Sequence, residues 1–255
     1  LRVLAQPLPH NSTGAVPHYQ HHAALMELPS SIRVPTPSDC SPWQSRIPFI
    51  AVSMHSVAYA EKQARLQASC EVVSVCCVSS FVPSDAFGTN STVGVHFFRM
   101  RLIASKPLFI LRTLETSSVP VVWMDIDLEF MQYPVLFEAH VWDPPRDVLL
   151  WNWQANVSFY HGRHLKMASG VAFFNVTEPA HALLLAWAET MAYEANLLSA
   201  DDQALDLLVN GDGWIDRARF GWLPAAYLRM AARHPRVSPV IEHDRGKSPG
   251  SHGGG

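Results

Sequence analysis

Val121-Val122-Trp123-Met124-Asp125-Ile126-Asp127-Leu128-Glu129-Phe130 reads as a buried β-strand interrupted by two carboxylates. The four apolar residues before Asp125 form a short continuous run, as in a parallel strand covered on both faces. Side chains alternate across a strand, so Asp125 and Asp127 project to the same side. Two like charges at the end of an apolar strand are costly unless a cation lies between them, and a hard divalent ion with oxygen ligands is the usual partner. A lone D-x-D triplet more often just ends a strand and solvates a turn. Here the apolar strand before it and Tyr133-Pro134 soon after it favour a metal site, because ligands of open α/β sheets gather beyond the carboxyl ends of such strands. Mn²⁺ or Mg²⁺ in that position suits the diphosphate of a nucleotide sugar, neutralising charge on the departing phosphate.

Outward from this strand, elements alternate. Toward the N-terminus, Phe97 to Leu114 has apolar residues at helical spacing and carries Arg99, Arg101 and Lys106. Cations on such a helix are usually its wet face, but this helix feeds the acidic strand. Further back come a strand at Ile47 to Val52, a helix near Ala58 to Gln67 and a strand at Val72 to Val78, which together make a parallel βαβ unit. Toward the C-terminus, Val148 to Trp153 and Val171 to Val176 read as strands. Thr177 then caps a helix over Ala180 to Tyr193, and Asp201-Asp202-Gln203 opens a shorter helix at Ala204 to Val209. Trp151 and Trp153 are expected on one face of their strand, as core packing or as a stacking surface for a sugar. The pattern specifies one α/β domain with a mostly parallel central sheet over residues 46–247. It is preceded by an irregular, Pro-, Ser- and His-rich lead-in or stem at 1–45 and followed by a flexible Gly-rich tail at 248–255.

Composition narrows the class. With 255 residues, 48% hydrophobic and 16% charged, the chain can bury one substantial core. A formal net charge of −3 supplies no basic field for nucleic acid or anionic lipid. No apolar run of about 18 residues is present, so membrane attachment is expected only through an N-terminal anchor outside this sequence. Cys40, Cys70, Cys76 and Cys77 lack metal-ligand spacing, and adjacent Cys76-Cys77 read as core residues or as one disulfide partner. Four N-x-S/T sequons, at Asn11, Asn90, Asn156 and Asn175, favour the secretory pathway, with Asn175 expected to be inaccessible in a strand.

The ordered set of a helix Lys (Lys106), a D-x-D strand ending in Pro, Ala168-Ser169-Gly170 leading a strand, Thr177 and a Trp187-bearing helix, Asp202-Gln203 and a late His243 resembles glycosyltransferase family 77. This family of nucleotide-diphospho-sugar transferases includes plant and algal xylosyl- and arabinosyltransferases acting on pectin and hydroxyproline-rich glycoproteins. The resemblance covers about residues 47–247. It implies a GT-A fold with a Rossmann-like nucleotide-binding sheet, a Golgi-lumen location and retention of anomeric configuration. It also implies a site in which Asp125 faces the ribose and the metal while Asp127 and His243 are direct ligands of the ion. Lys106, Gly170 and Lys247 fall at the nucleotide-binding positions, Asp202 at the residue that hydrogen-bonds the transferred sugar, and Gln203 close to the anomeric carbon. Lys247 follows Gly246 more closely than the family's tail pattern, and Ala168 replaces an Asn of the family.

The expected activity is therefore metal-dependent, retaining transfer from a UDP-sugar to a hydroxyl of a cell-wall polysaccharide or glycoprotein, with the nucleotide sugar and a glycan or glycoprotein acceptor as partners. The alternative, prompted by Ala168 and the atypical tail, is a lumenal GT-A-like protein without catalysis that serves as an assembly partner of a glycosyltransferase complex.

Overall fold

The computed structural model describes residues 27–40, 47–88, 95–158, 161, 167–193, 200–211 and 213–243. A six-stranded sheet runs through the centre in the order β2-β1-β3-β6-β5-β7. Its strands are β1 (Ile50–His55), β2 (Cys77–Phe81), β3 (Val121–Met124), β5 (Val148–Asn152), β6 (Met167–Phe174) and β7 (Phe220–Leu223). β1 pairs in parallel with both β2 and β3, and β5 with β7, while β6 runs antiparallel between β3 and β5. The fold is thus α/β with a mainly parallel central sheet. From β1 the chain crosses to β2 on one side and then returns to β3 on the other, so strand order reverses at β1 and β3, the position at which open α/β sheets bind ligands.

Alternation along the strands distributes two cores. Ile50, Val52 and Met54 of β1, with Val121 and Trp123 of β3, face one side. There they meet α2 (Val95–Thr116), α3 (Glu178–Ala192) and α4 (Asp201–Gly211), including Phe109, Trp187 and Leu205. Ala51 of β1, with Val122 and Met124 of β3, faces the other side, against α1 (Ala60–Val72), Phe137 and Tyr227. None of the helices described is long and apolar enough to cross a membrane.

A second, small sheet carries β4 (Leu128–Phe130), β9 (Ile241–His243) and β8 (Arg229–Met230) in that order. β4 follows the D-x-D pair directly, and its antiparallel pairing with β9 sets Leu128 opposite His243. These strands are two or three residues long, too short to show a period in sequence.

Three expectations shift. The Val72 to Val78 strand is instead the end of α1, a turn in which Ser74 has φ 58°, and β2 from Cys77. The valines that suggest β-structure are spent on the helix terminus and turn. Asn175 lies just past β6, its side-chain amide donating to the Arg146 carbonyl at 2.9 Å. Strand β5 stops at Asn152, whose side chain caps a helical turn at Trp153–Asn156, so Trp151 is fully buried and Trp153 turns away, their rings perpendicular with centroids 5.1 Å apart.

Both adjacent cysteines are paired, in Cys40–Cys76 and Cys70–Cys77. The first ties the lead-in to the domain: Ile32 is buried in the core and Ser80 Oγ donates to the Arg33 carbonyl at 2.6 Å. Packing against the domain therefore already involves residues 27–40. The sequons at Asn11 and Asn90 lie outside the described residues.

Trp187 is fully buried between α3 and the sheet, and its indole N–H donates to the Asp201 carbonyl at 3.2 Å. Trp187→Ala should lower stability by about 4 kcal/mol through the cavity it leaves. Urea unfolding measures this; a loss below about 1 kcal/mol would contradict the packing described.

Candidate active site

The carboxyl ends of β1 and β3 open on a cleft of about 390 Å³ whose walls include Tyr59, Asp125, Asp127, Trp153, Asp202 and His243. Asp125 continues the β3–β6 ladder, its backbone N–H donating to the Gly170 carbonyl at 2.8 Å. A Cβ at Gly170 would stand 3.1 Å from Asp125 Oδ2, so glycine there leaves room for the carboxylate. Trp123, two residues earlier and on the same side of the strand, donates its indole N–H to Asp125 Oδ1 at 2.8 Å.

Lys106 comes from the middle of α2 and is almost fully buried. Its ammonium donates to Asp125 Oδ1 at 3.1 Å, forms a close ion pair with Asp201, reaches Ser169 Oγ at 3.3 Å and lies 5.0 Å from the centre of the Trp123 ring. Burial alone would drive the proton off; the carboxylates of Asp125 and Asp201 outweigh it and hold the ammonium charged, well above the ordinary lysine value. Asp201 is buried in turn and accepts from Ser169 Oγ at 2.8 Å. At the first turn of α4, Asp201 thus points inward to Lys106 and Asp202 lines the cleft.

At the outer end, Asp127 Oδ2 is 3.7 Å from His243 Nε2 and accepts from Lys62 Nζ at 3.2 Å. The carboxylate oxygen suits Mn²⁺ or Mg²⁺, and the imidazole beside it suits Mn²⁺. Asp125 contributes less directly, since its Oδ1 is engaged by Lys106 and Trp123. No three His, Cys, Asp or Glu among the described residues stand close enough together to hold a metal.

Of the residues expected from sequence, the structure brings Asp125, Asp127, His243, Lys106, Gly170 and Asp202 to one cleft. Gln203 is exposed and is not part of the cleft wall, one residue too far around α4. Lys247 lies outside the described residues. Ala168 is buried at the cleft wall. Sequence reasoning missed Lys62, Ser169, Trp123 and the inward role of Asp201. Trp123 was legible by its i, i+2 spacing to Asp125; a lysine in the first turn of an ordinary surface helix carries no such signal.

Among known proteins, no family pattern and no curated sequence matches the chain. Solved structures do. A glycosyltransferase involved in the glycosylation of the major capsid of PBCV-1 superposes over 78% of this chain and 95% of its own, with a TM-score of 0.54 at 13% identity. The fold is that of the GT-A glycosyltransferases. The glycosyltransferase GlyE of Streptococcus pneumoniae TIGR4 matches 78% of this chain and 55% of its own at 12% identity, with a TM-score of 0.49. Mouse xyloside xylosyltransferase 1 matches 79% and 99% at 12% identity, with a TM-score of 0.44. At such identities the likeness is one of fold.

Lys106→Met would leave the buried Asp201 carboxylate without its cation and should cost about 3 kcal/mol. Asp201→Asn in the same background should recover part of that loss in urea unfolding. Asp202 gives a second test. Burial first, then the charge of Asp201, push its carboxyl from 3.8 up to about 6, although Lys106 pulls the other way. The folded chain therefore holds this proton more tightly than the unfolded one. The stabilisation is complete below 3.8 and is lost as pH rises through about 6. Asp202→Asn should flatten the decline in thermal stability across that window; an unchanged profile would remove Asp202 as its source.

Proposed function

We propose that the chain is a glycosyltransferase that moves a sugar from a UDP-sugar to a hydroxyl of a glycan or glycoprotein acceptor, with retention of anomeric configuration, as its resemblance to glycosyltransferase family 77 implies. The observation that carries this reading is the convergence of Asp125, Asp127, His243, Lys106 and Asp202 at the β1/β3 end of a GT-A sheet.

Asp127 and His243 would hold Mn²⁺ or Mg²⁺, with Asp125 beside them. Bound there, the ion supplies positive charge to the departing phosphate. Lys106 orients the carboxylates of Asp125 and Asp201 without surrendering its own proton, so their oxygens are fixed before the donor arrives. Gly170 admits the Asp125 carboxylate close to the β6 backbone. Asp202 would accept a hydrogen bond from a hydroxyl of the donor sugar, and the Trp153 ring forms an apolar part of the same wall. An oxidising compartment, the Golgi lumen or another part of the secretory pathway, is the location we propose. Two disulfides within a chain whose four cysteines are all paired support it.

Ala168 favours a second reading, a lumenal assembly partner that binds nucleotide without turnover, because an alanine at the cleft wall offers no side-chain hydrogen bond to a sugar.

Purified protein with a panel of UDP-sugars should release UDP in Mn²⁺ and not in EDTA. Asp127→Ala should lower that release by about a hundredfold or more. NMR of the product gives the anomeric configuration. Mn²⁺-dependent UDP binding with no release from any donor would select the assembly partner instead.

A further inference from the structure

Lys62 belongs to the first turn of α1, three residues after Tyr59, and its ammonium lies 5.6 Å from the centre of the Tyr59 ring. It donates at 3.2 Å to Asp127 Oδ2, the same oxygen that faces His243 Nε2 at 3.7 Å. One carboxylate oxygen thus serves both an ammonium and an imidazole. A divalent ion bound by Asp127 and His243 would seek the lone pairs that Lys62 now uses, and would set two positive centres within a few ångströms of each other. Ammonium and metal therefore compete for this oxygen.

The two lysines of the site differ in their freedom to respond. Lys106 is enclosed by Asp125, Asp201 and Ser169 and is almost completely buried. Lys62 and Asp127 are each about a quarter exposed, and a lysine stem swings on four rotatable bonds. The ring beneath Lys62 is a wall of the cleft, so an ammonium that leaves Asp127 remains beside the space a donor enters.

We propose that Lys62 is a resident cation of the D-x-D motif that changes partner. Without donor it neutralises Asp127 and keeps the carboxylate oriented toward His243. When a divalent ion takes Asp127, Lys62 moves to the nucleoside diphosphate that accompanies the ion and becomes one of its ligands. This rests on the nucleotide-sugar reading above.

The two roles predict effects of opposite sign from one substitution. Lys62→Met should bind Mn²⁺ about fivefold to tenfold tighter than the wild type without nucleotide, as read from the free Mn²⁺ signal in electron paramagnetic resonance. In saturating Mn²⁺ the same variant should bind UDP about tenfold more weakly by calorimetry. Lys62→Arg, which keeps the charge, should stay close to the wild type in the first measurement. General damage to the site would weaken both ligands together. Equal or weaker Mn²⁺ binding by Lys62→Met overturns the competition with metal, and unchanged UDP affinity overturns the diphosphate contact. If the wild type and both variants bind neither Mn²⁺ nor UDP, the nucleotide-sugar reading fails and this inference fails with it. Wild type that binds UDP in a Mn²⁺-dependent way, while Lys62→Met gains no metal affinity and loses no UDP affinity, sinks this inference alone.

Discussion

The buried ammonium of Lys106 is the interaction around which the rest of the site is arranged. It joins α2 to Asp125 beyond β3, to Ser169 on β6 and to Asp201 on α4, so four elements meet on one charge. Asp201, buried beside the core, needs a counter-charge, and so does a lysine with almost no exposed surface. Because the arrangement is mutual, the cleft wall is fixed by the same contacts that close the core above the sheet. Trp187 extends this coupling, filling the core with its ring and holding the Asp201 backbone with its N–H.

The small sheet solves a different problem. Asp127 and His243 are far apart in the chain, and neither a loop nor a helix brings them together. The pairing of β4 with β9 does, by setting Leu128 against His243 one residue beyond the acidic motif. Arg229 adds a neutralising partner for Glu242 on β9, and Arg65 does the same for Glu129 on β4, where the two glutamates face each other across the ladder. Like charges opposed in this way would push the strands apart if unpaired.

Those parts of the fold that bury long apolar runs were legible in the sequence. The strand before Asp125, the helices holding Lys106 and Trp187, and the strand from Val171 all carry enough residues for their period to show, although the last begins earlier, at Met167. Boundaries failed where apolar residues serve a turn, as at Val72 to Cys76, or where a capping asparagine ends a strand early, as at Asn152. Short strands such as β7, β8 and β9 exist only because partners stand ready for them, which no local pattern reveals. In the site, Asp125 and Asp127 announce themselves as charges out of place. Asp201 and Asp202 do not, because acidic residues at a helix start already have a local explanation. Gln203 shows the limit of carrying a role by sequence position: one step along α4 turns a side chain by about 100° and takes it from the cleft to the surface.

The Cys70–Cys77 bridge holds the far end of α1 to the edge of the main sheet, and Arg65 pairs with Glu129 part-way along the helix. With its axis secured at two points, α1 has little scope to carry Lys62 away from Asp127 as a rigid body. Release of that carboxylate then falls to rotation about the lysine stem, a motion of picoseconds to nanoseconds for a partly exposed side chain. Exchange of one cation for another at Asp127 would therefore be rapid beside any movement of the backbone, and occupancy would follow ligand concentration without a slow conformational step of this helix.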